Sequence, residues 1–337
     1  MRIVVCGAQK PFVRGGAEQH QEALAAALRA AGHDTDVVRL PVAWEKGRLL
    51  DAPLAWRLLP VDADLVIATN FPSYFVRHPR KVVWLLHQHR GAYDAADAPW
   101  SDFGPDADAW ETQRILTEWD NRALGEATHV FTNSSVVSAR LRAHNGMGST
   151  PLSHPAPLTN RLMPGPFGDY VLFVSRLEAN KRPQLAVEAL ASSHSGLRLI
   201  IAGTGSLTGE LADLTVRLGL QDRVQLAGWV EDDRLVQLYA NASSVLYAPH
   251  DEDYGYVTLQ AFAAGKPVIT STDAGAVLDF VLDGRTGLVT DASPEQLGAA
   301  IDRLAGDSDQ AARLGNAGRE LAAGLRWDRV VDQLLSS

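Results

Sequence analysis

The sequence predicts an α/β protein with two doubly wound parallel sheets, each in a Rossmann-like domain of its own. The chain has 337 residues, which is more than one ordinary hydrophobic core accommodates. Short, nearly continuous apolar runs alternate with amphipathic helical segments along the whole chain. A segment rich in proline and glycine, residues 147–170, interrupts this alternation and divides it into two halves.

The first half begins with an apolar strand, a glycine-containing loop and a helix. In the helical segment AEQHQEALAAALRAAGH the apolar positions recur every three or four residues, and Gly32 stops the helix. The strands predicted in this half are RIVVCGA, TDVVRL, DADLVIATN, KVVWLLHQ and THVFTNSS, and the last is followed by the helix SSVVSARLRAH. Such an alternation is typical of a parallel sheet that is buried on both faces.

The same alternation resumes after residues 147–170. The predicted strands are YVLFVSR, LRLIIAG, VQLAG, SSVLYAP and KPVITS, with helices between them at RPQLAVEALASSH, TGELADLTVRLGL, DDRLVQLYANA and residues 256–264. We therefore predict domains at residues 1–160 and 161–337 that face each other across a cleft. In open α/β sheets ligands bind at the carboxyl ends of strands, so candidate site residues should follow strands directly.

Composition and charge exclude several classes of protein. The net charge is −9, and all of it lies in residues 165–337, because residues 1–164 carry equal numbers of acidic and basic side chains. A nucleic-acid-binding protein should instead present a basic face. The single cysteine, Cys6, lies in an apolar strand and cannot form an internal disulfide. With no long apolar segment, we expect no transmembrane helix and a cytoplasmic location.

Two places in the first half are candidates for ligand contacts. Gly15 and Gly16 precede a helix, where backbone N–H groups are open to a phosphate, although an ordinary turn would also place glycines there. His87 and His89 end a strand, and without a third ligand nearby we expect them not to share a metal. His87 is a candidate for a hydrogen bond to a ligand, and a structural role is the alternative.

Two cations follow the first strand of the second half. Arg176 comes directly after YVLFVS, and Lys181 lies just before Pro183 at a predicted helix start. An arginine fork, a lysine point charge and a helix N-terminus together suit a diphosphate. Solvated surface basicity is the alternative, but the acidity of this half and the position after a strand favour a binding role.

Glycines follow two further strands of the second half. Gly203 is the last residue of LRLIIAG and Gly205 follows it, and a tight turn and a ligand-facing role explain the two glycines equally well. The stretch LAGWV ends the next strand at a glycine, and the backbone at Trp229 and Val230 is a candidate partner for a planar base. An ordinary turn accounts for the second stretch at least as well.

The stretch HDEDYGYVTLQAF combines acidic residues with a glycine and a helix start. The amides that follow Gly255 could hold a phosphate oxygen, and Glu252 could accept hydrogen bonds from sugar hydroxyls. Gln260 lies eight residues after Glu252, about 12 Å along a helix, so the two could bracket one elongated ligand. The alternative is charge complementarity at a helix N-terminus, although Glu252 lies several residues before the usual cap position.

Several motifs, in the order GGAEQH, SRLEANKRP, AGTG, EDYGYVTLQAFAAGKPVI and GRTGLV, resemble family 4 of the retaining glycosyltransferases, which have the GT-B fold. The resemblance extends over nearly the whole chain. It implies that Arg176 and Lys181 bind the donor diphosphate and that Glu252 reaches the donor sugar. It also places the loop of Gly15 and Gly16 beside the donor phosphates and His87 near the transferred sugar.

The resemblance further implies the reaction. Such enzymes transfer a sugar from a nucleotide-diphosphate donor, here a UDP- or GDP-sugar, to an acceptor hydroxyl with retention of configuration. The acceptor could be a glycan, a lipid or a small molecule. We expect no metal and no cofactor, residues 1–160 on the acceptor side and residues 161–337 on the donor side. The full set of predicted donor-binding residues is Gly15, Gly16, Gly203, Gly205, Trp229, Val230, Asp253, Tyr254, Gly255, Tyr256, Val257 and Gln260.

One position departs from the family pattern, because Gln260 stands where the second motif glutamate is expected. An amide accepts at oxygen and donates at nitrogen, so it would bind a ribose diol more weakly than a carboxylate. We expect the change Gln260→Glu to leave the fold intact and to tighten donor binding. The alternatives to an active transferase are an inactive or regulatory nucleotide-sugar-binding protein and a nucleotide-sugar 2-epimerase.

Overall fold

The computed structural model describes residues 1–12, 15–42, 46–94, 96, 103 and 107–337. The chain divides into two compact units, one formed by Met1–His154 with Arg326–Ser337 and the other by Pro155–Leu325. Each unit contains a six-stranded sheet in which every neighbouring pair of strands is parallel. The predicted α/β class is confirmed.

The first unit places its sheet in the order β2-β1-β3-β4-β5-β6. Its elements in the described residues are β1 (Arg2–Gln9), α1 (Gly16–Ala30), β2 (Asp34–Pro41), α2 (Asp51–Leu58), β3 (Leu65–Ala68), β4 (Lys81–Leu85), α3 (Ala107–Gly125), β5 (His129–Thr132), α4 (Ser135–Asn145) and β6 (Thr150–Pro151).

The second unit has the sheet order β12-β11-β10-β7-β8-β9. Its elements are β7 (Tyr170–Val174), a 3₁₀ turn (Ala179–Lys181), α5 (Pro183–Ser192), β8 (Arg198–Ala202), α6 (Thr208–Arg217), β9 (Val224–Gly228), α7 (Asp232–Asn241), β10 (Ser244–Leu246), α8 (Tyr256–Ala263), β11 (Val268–Ser271), a 3₁₀ turn (Ala276–Asp279), β12 (Gly287–Thr290), α9 (Pro294–Gly306) and α10 (Ser308–Gly324). None of the helices described in either unit is long and apolar enough to cross a membrane.

The last helix, α11 (Trp327–Leu335), belongs to the first unit. Val330, Val331 and Leu334 form its apolar face, and they are buried in one core cluster with Leu24 and Leu28 of α1. The observed division therefore differs from the predicted ranges 1–160 and 161–337 at both junctions. An amphipathic pattern shows that a helix has a face to bury, but it does not show which unit buries it.

Each sheet has a point at which the strand order reverses. In the first unit β1 lies between β2 and β3, and in the second unit β7 lies between β8 and β10. The loops that leave neighbouring strands in opposite directions open a crevice at the carboxyl ends of those strands. The loops after β7 and β10 flank this crevice in the second unit, and the loops after β1 and β3 flank it in the first.

A cluster of buried and half-buried aromatic rings lies between α1, β4 and α11. The ring centroids of His20 and His154 are 4.6 Å apart, and Trp84 and Trp327 pack against both. Burial lowers the pKa of His20 to about 3 and that of His154 well below its usual value. Both imidazoles are therefore neutral in the folded protein near neutral pH.

Acid should destabilise the first unit through this cluster. As the pH falls below 6.5, His20 of the unfolded chain binds a proton that the folded chain does not bind until about pH 3. The unfolded state thus gains protons first, and the free energy of unfolding decreases across this window. Between about pH 7 and about pH 5 the variant His20→Leu should lose roughly 2 kcal/mol less stability than the wild type.

Urea unfolding followed by tryptophan fluorescence at the two pH values measures this difference. Leu24→Met, a volume-conserving change in the same core, is the control, and it should lower both free energies by equal amounts. An unchanged pH dependence in His20→Leu would contradict the assignment of a neutral, buried His20.

Candidate functional site

The candidate site lies at the crevice of the second unit, where three of the predicted residues follow strands. Arg176 comes two residues after β7, and its side chain is exposed. Lys181 ends the 3₁₀ turn that follows, and Glu252 lies in the loop between β10 and α8. Among the residues that the structure describes, Arg176 makes no ion pair, so its guanidinium is available to an anion.

Lys181 and Glu252 form an ion pair in which the lysine ammonium donates to Oε2 of the carboxylate. Both side chains are largely buried, with 12% and 14% of their surfaces exposed. The hydroxyl of Tyr247, the residue directly after β10, donates to the same Oε2 at 2.8 Å. The predicted diphosphate cation and the predicted sugar-binding carboxylate are therefore in direct contact, with a tyrosine behind them.

Backbone hydrogen bonds on both sides hold the loop that carries Glu252. They run from His250 N to Asn180 O (2.8 Å), from Asp251 N to Asp273 O (2.9 Å), from Glu252 N to Ala274 O (3.3 Å) and from Ala276 N to Glu252 O (2.8 Å). Residues 250–252 thus continue the sheet for a short distance, between the loop after β7 and the loop after β11.

A second ion pair at the same edge was not predicted from the sequence. Arg182 donates to both carboxylate oxygens of Asp273, at 2.9 and 2.6 Å, and to Nδ1 of His250 at 3.0 Å. Burial raises the pKa of Asp273, but hydrogen bonds from Arg182 and Ser271 outweigh it and lower that pKa to about 2. Arg182 therefore joins the three loops, while its neighbour Lys181 contacts Glu252.

Gly275 is a further residue on which the site depends and which the sequence did not reveal. Its φ is +64°, and a Cβ at this position would lie 2.5 Å from both the N and the O of Glu252. Only glycine allows the two backbones to approach this closely. The position of Glu252 is thus set in part by a residue 23 positions later in the chain.

The glycines Gly203 and Gly205 support the loop that carries Arg176. A Cβ on Gly203 would lie 1.8 Å from Ser175 O, and one on Gly205 would lie 2.4 Å from Leu177 O. The amide of Leu177 also donates to Thr204 O at 3.0 Å. In the described residues, these contacts give both glycines a packing role next to Arg176, and their predicted contact with a ligand stays a prediction.

Helix α8 begins directly after Gly255, as predicted, and its first-turn amides lie at the same edge of the sheet. The first four N–H groups of a helix have no intrahelical partner, so they can bind an anion. Tyr254 and Val257 are buried in the core, so any ligand contact of theirs would come from the backbone. Asp253 and Tyr256 are half-buried.

Gln260 is buried, and both ends of its amide are already used by the protein. Its Oε1 accepts a hydrogen bond from the hydroxyl of Tyr239 at 3.0 Å, and its Nε2 donates to the carbonyl of Pro157 at 3.2 Å. A glutamate would place a carboxylate oxygen against the Pro157 carbonyl, with no proton between two acceptors. This geometry argues against the expectation that Gln260→Glu leaves the fold undisturbed and strengthens ligand binding.

Trp229 and Val230 follow β9 at the same edge. The indole of Trp229 is 73% exposed, and its Nε1 donates to Glu231 at 3.3 Å. Val230 is half-buried against the core. An exposed aromatic face beside the backbone suits a planar base, but contact with a base at this position stays a prediction.

The remaining predicted residues lie in the first unit. Gly15 precedes α1, and its N–H donates to the Glu18 carboxylate at 2.8 Å, so this amide is already satisfied, whereas Gly16 begins the helix. His87 follows β4, and its Nδ1 is 2.8 Å from the Gln88 carbonyl. A carbonyl only accepts, so Nδ1 carries a proton, and Nε2 of a neutral His87 is an acceptor.

Solved structures with a similar fold cover the whole chain. The Anabaena protein HepE, solved with UDP and glucose, matches with a TM-score of 0.76 and 18% identity over 100% of both chains. Sucrose-phosphate synthase from Thermosynechococcus elongatus matches with a TM-score of 0.81 and 19% identity, over 99% of this chain and 97% of its own. The fold is that of the GT-B class, as predicted.

Residues 168–321 match the family model described as Glycosyl transferases group 1. The D-inositol 3-phosphate glycosyltransferase of Acidothermus cellulolyticus is 36% identical over 181 residues, which cover 50% of this chain and 40% of that relative. Its namesake from Mycolicibacterium smegmatis is 29% identical over 238 residues, 65% of this chain and 54% of the relative. Residues 168–321 are thus similar to the glycosyl transferases group 1 family, and the chain aligns with about half the length of these relatives.

Gly275→Ala should destabilise the second unit, because the new Cβ would meet the backbone of Glu252. Gly284→Ala is the matched control, since Gly284 also has a positive φ, +68°, but its Cβ would meet nothing within 4 Å. We expect Gly275→Ala to cost at least about 2 kcal/mol more than the control in urea unfolding. Equal losses in the two variants would show that the contact with Glu252 carries no constraint.

Gln260→Glu should lower the free energy of unfolding by about 1–3 kcal/mol near neutral pH, because a buried donor is replaced by an acceptor that faces a carbonyl. The loss should shrink at acid pH, where a protonated carboxyl again donates. Gln296→Glu, at an exposed position of α9, is the control and should change stability little. A Gln260→Glu protein as stable as the wild type at neutral pH would argue against the two hydrogen bonds.

Proposed function

We propose that the protein is a retaining glycosyltransferase, which transfers a sugar from a nucleotide-diphosphate sugar to an acceptor hydroxyl without a metal ion. The observation that carries the proposal is the arrangement at the crevice of the second unit. Three groups follow the strands that flank the reversal of strand order: Arg176, which has no ion pair among the described residues, the Lys181–Glu252 ion pair, and the N-terminus of α8. This is where an open α/β sheet binds ligands.

The diphosphate of the donor would lie against Arg176, Lys181 and the first-turn amides of α8. Departure of a nucleoside diphosphate develops negative charge on its oxygens, and fixed cations and amide dipoles stabilise that charge without reorganising during the reaction. Arg176 can bind two oxygens through its planar fork, and Lys181 supplies a compact charge. These groups would perform the neutralisation that a divalent cation performs in other transferases.

Glu252 would accept hydrogen bonds from hydroxyl groups of the donor sugar. Its ion pair with Lys181 keeps the two charges compensated while the site holds no ligand. A diphosphate would compete with Glu252 for the lysine, and the sugar hydroxyls would then become new donors to the carboxylate. Ligand binding would therefore exchange one set of charge-assisted hydrogen bonds for another instead of leaving a charge unpaired.

Retention would follow if the acceptor attacks the face from which the diphosphate leaves, with a phosphate oxygen of the donor receiving the acceptor proton. His87 would contribute a hydrogen bond through Nε2, as the tautomer set by Gln88 requires for a neutral imidazole. The loop of Gly15 and Gly16 would lie beside the donor phosphates. We propose the first unit, Met1–His154 with Arg326–Ser337, as the acceptor side, the second unit, Pro155–Leu325, as the donor side, and the cytoplasm as the location.

The names of similar proteins suggest which ligands to test first. The HepE structures contain UDP and UDP-glucose, so uridine donors come before guanosine and adenosine donors in a binding panel. Several relatives are named D-inositol 3-phosphate glycosyltransferase, which makes that compound one acceptor to include among glycans, lipids and small molecules. Turnover would distinguish a transferase from a protein that only binds nucleotide sugars.

Arg176→Ala should weaken the binding of UDP about 10- to 100-fold, because a charge-assisted hydrogen bond to the diphosphate is lost. Arg198→Ala is the matched control. Arg198 is also exposed, but it begins β8 and so lies at the amino ends of the strands, away from the candidate site at their carboxyl ends. Isothermal titration calorimetry with UDP, GDP and ADP measures both variants. Wild-type affinity in Arg176→Ala would place the diphosphate elsewhere.

A further inference from the structure

Two hydrogen-bond donors of different kinds meet on one oxygen of Glu252. The ammonium of Lys181 and the hydroxyl of Tyr247 both bind Oε2, the tyrosine at 2.8 Å. Neither the motifs of the sequence nor the family resemblance assigns a role to Tyr247. The carboxylate of Glu252 therefore has a buried tyrosine as a second partner in addition to the lysine with which it is ion-paired.

The two donors differ in mobility. Tyr247 directly follows β10, its amide donates to Ile269 O at 2.9 Å, and only 3% of its surface is exposed. Gly255 lies against the ring, where an added Cβ would be 3.3 Å from Cε1. Lys181 ends a single 3₁₀ turn and has a long side chain with four rotatable bonds. An incoming anion can therefore displace the ammonium much more easily than the phenol.

We propose that Tyr247 is a positioning residue that holds the carboxylate of Glu252 in place when Lys181 turns to the donor diphosphate. The proposal rests on the function proposed above. In the structure, Lys181 and Tyr247 both donate a hydrogen bond to the carboxylate of Glu252. When a nucleotide sugar is bound, Tyr247 keeps Oε2 of Glu252 in its position, and the carboxylate remains directed at the sugar hydroxyls.

Without the tyrosine, departure of Lys181 would leave the largely buried carboxylate of Glu252 without a side-chain donor among the described residues. An unsatisfied buried acceptor is destabilising, and it is more so when it is charged. The side chain would then have to turn toward water and away from the sugar. A fixed neutral donor prevents this without placing a second permanent cation next to Arg176, which would hold Glu252 too firmly for exchange.

The hydroxyl of Tyr247 is protonated near neutral pH. Burial, and after it the charge of Glu252, raise the pKa of Tyr247 well above its usual value, although the charge of Arg176 opposes them. Tyr247 is therefore a neutral hydrogen-bond donor near neutral pH, and it does not compete with the diphosphate for the cations.

Binding of two ligands by Tyr247→Phe tests the proposal. UDP lacks the sugar and UDP-glucose has it, so loss of the position of Glu252 should affect only the second ligand. We expect wild-type affinity for UDP and at least about tenfold weaker binding of UDP-glucose, which corresponds to about 1.4 kcal/mol. Tyr170→Phe removes another buried hydroxyl hydrogen bond of this unit, to Leu238 O, and should leave both affinities unchanged.

Unchanged UDP-glucose affinity in Tyr247→Phe would overturn the proposal, and equal losses for UDP and UDP-glucose would reduce Tyr247 to a structural role. If loss of any buried hydroxyl hydrogen bond weakened ligand binding, Tyr170→Phe would also lose affinity, and the effect would not be specific to Tyr247. If the wild type binds neither ligand, the function proposed above fails for uridine donors, and a measurement without ligand decides the role of Tyr247.

That measurement is a double-mutant cycle in urea with Lys181→Met and Tyr247→Phe. If Tyr247 holds Glu252 when the lysine is absent, the double variant loses both donors to Oε2. Its unfolding midpoint should then fall by more than the sum of the two single shifts. Additive shifts would show that the tyrosine does not hold the carboxylate, whatever the protein binds.

Discussion

The carboxylate of Glu252 organises the edge of the second sheet at which the candidate site lies. Its backbone is held between the loops after β7 and β11, and its side chain joins Lys181 to Tyr247. A carboxylate that is mostly withdrawn from water is stable only when its oxygens have donors. The geometry of the surrounding loops, including the close approach of Gly275, follows from this requirement.

The cations at this edge have separate roles that their spacing does not reveal. Arg182 is bound to Asp273 and His250 and joins three loops, so it belongs to the scaffold. Its neighbour Lys181 contacts Glu252, and Arg176 has no ion-pair partner among the described residues. Arg176 and Lys181 are the two positive groups that the proposed function assigns to a diphosphate.

The side chains and backbone around Gln260 determine which residue this motif position can accommodate. At the sequence level Gln260 is a weakened version of a ribose-binding glutamate. In the structure its amide matches a hydroxyl donor on Tyr239 and a carbonyl acceptor on Pro157, a combination that a carboxylate cannot satisfy. The departure from the family pattern is therefore accompanied by a compatible environment, and it links α8 to the segment at the start of the second unit.

The sequence by itself determined the α/β class, ten of the strands, the strand-end positions of Arg176 and Glu252 and the resemblance to a glycosyltransferase family, since apolar runs, helical periodicity and motifs are local properties of the chain. Only the tertiary structure decided that α11 packs on the first unit and that Lys181, not Arg182, contacts Glu252. It also decided that Gly275 and Tyr247 support that carboxylate. These outcomes depend on which distant segments of the chain come into contact. Packing and charge compensation in three dimensions decide those contacts, and the spacing of residues along the chain does not show them.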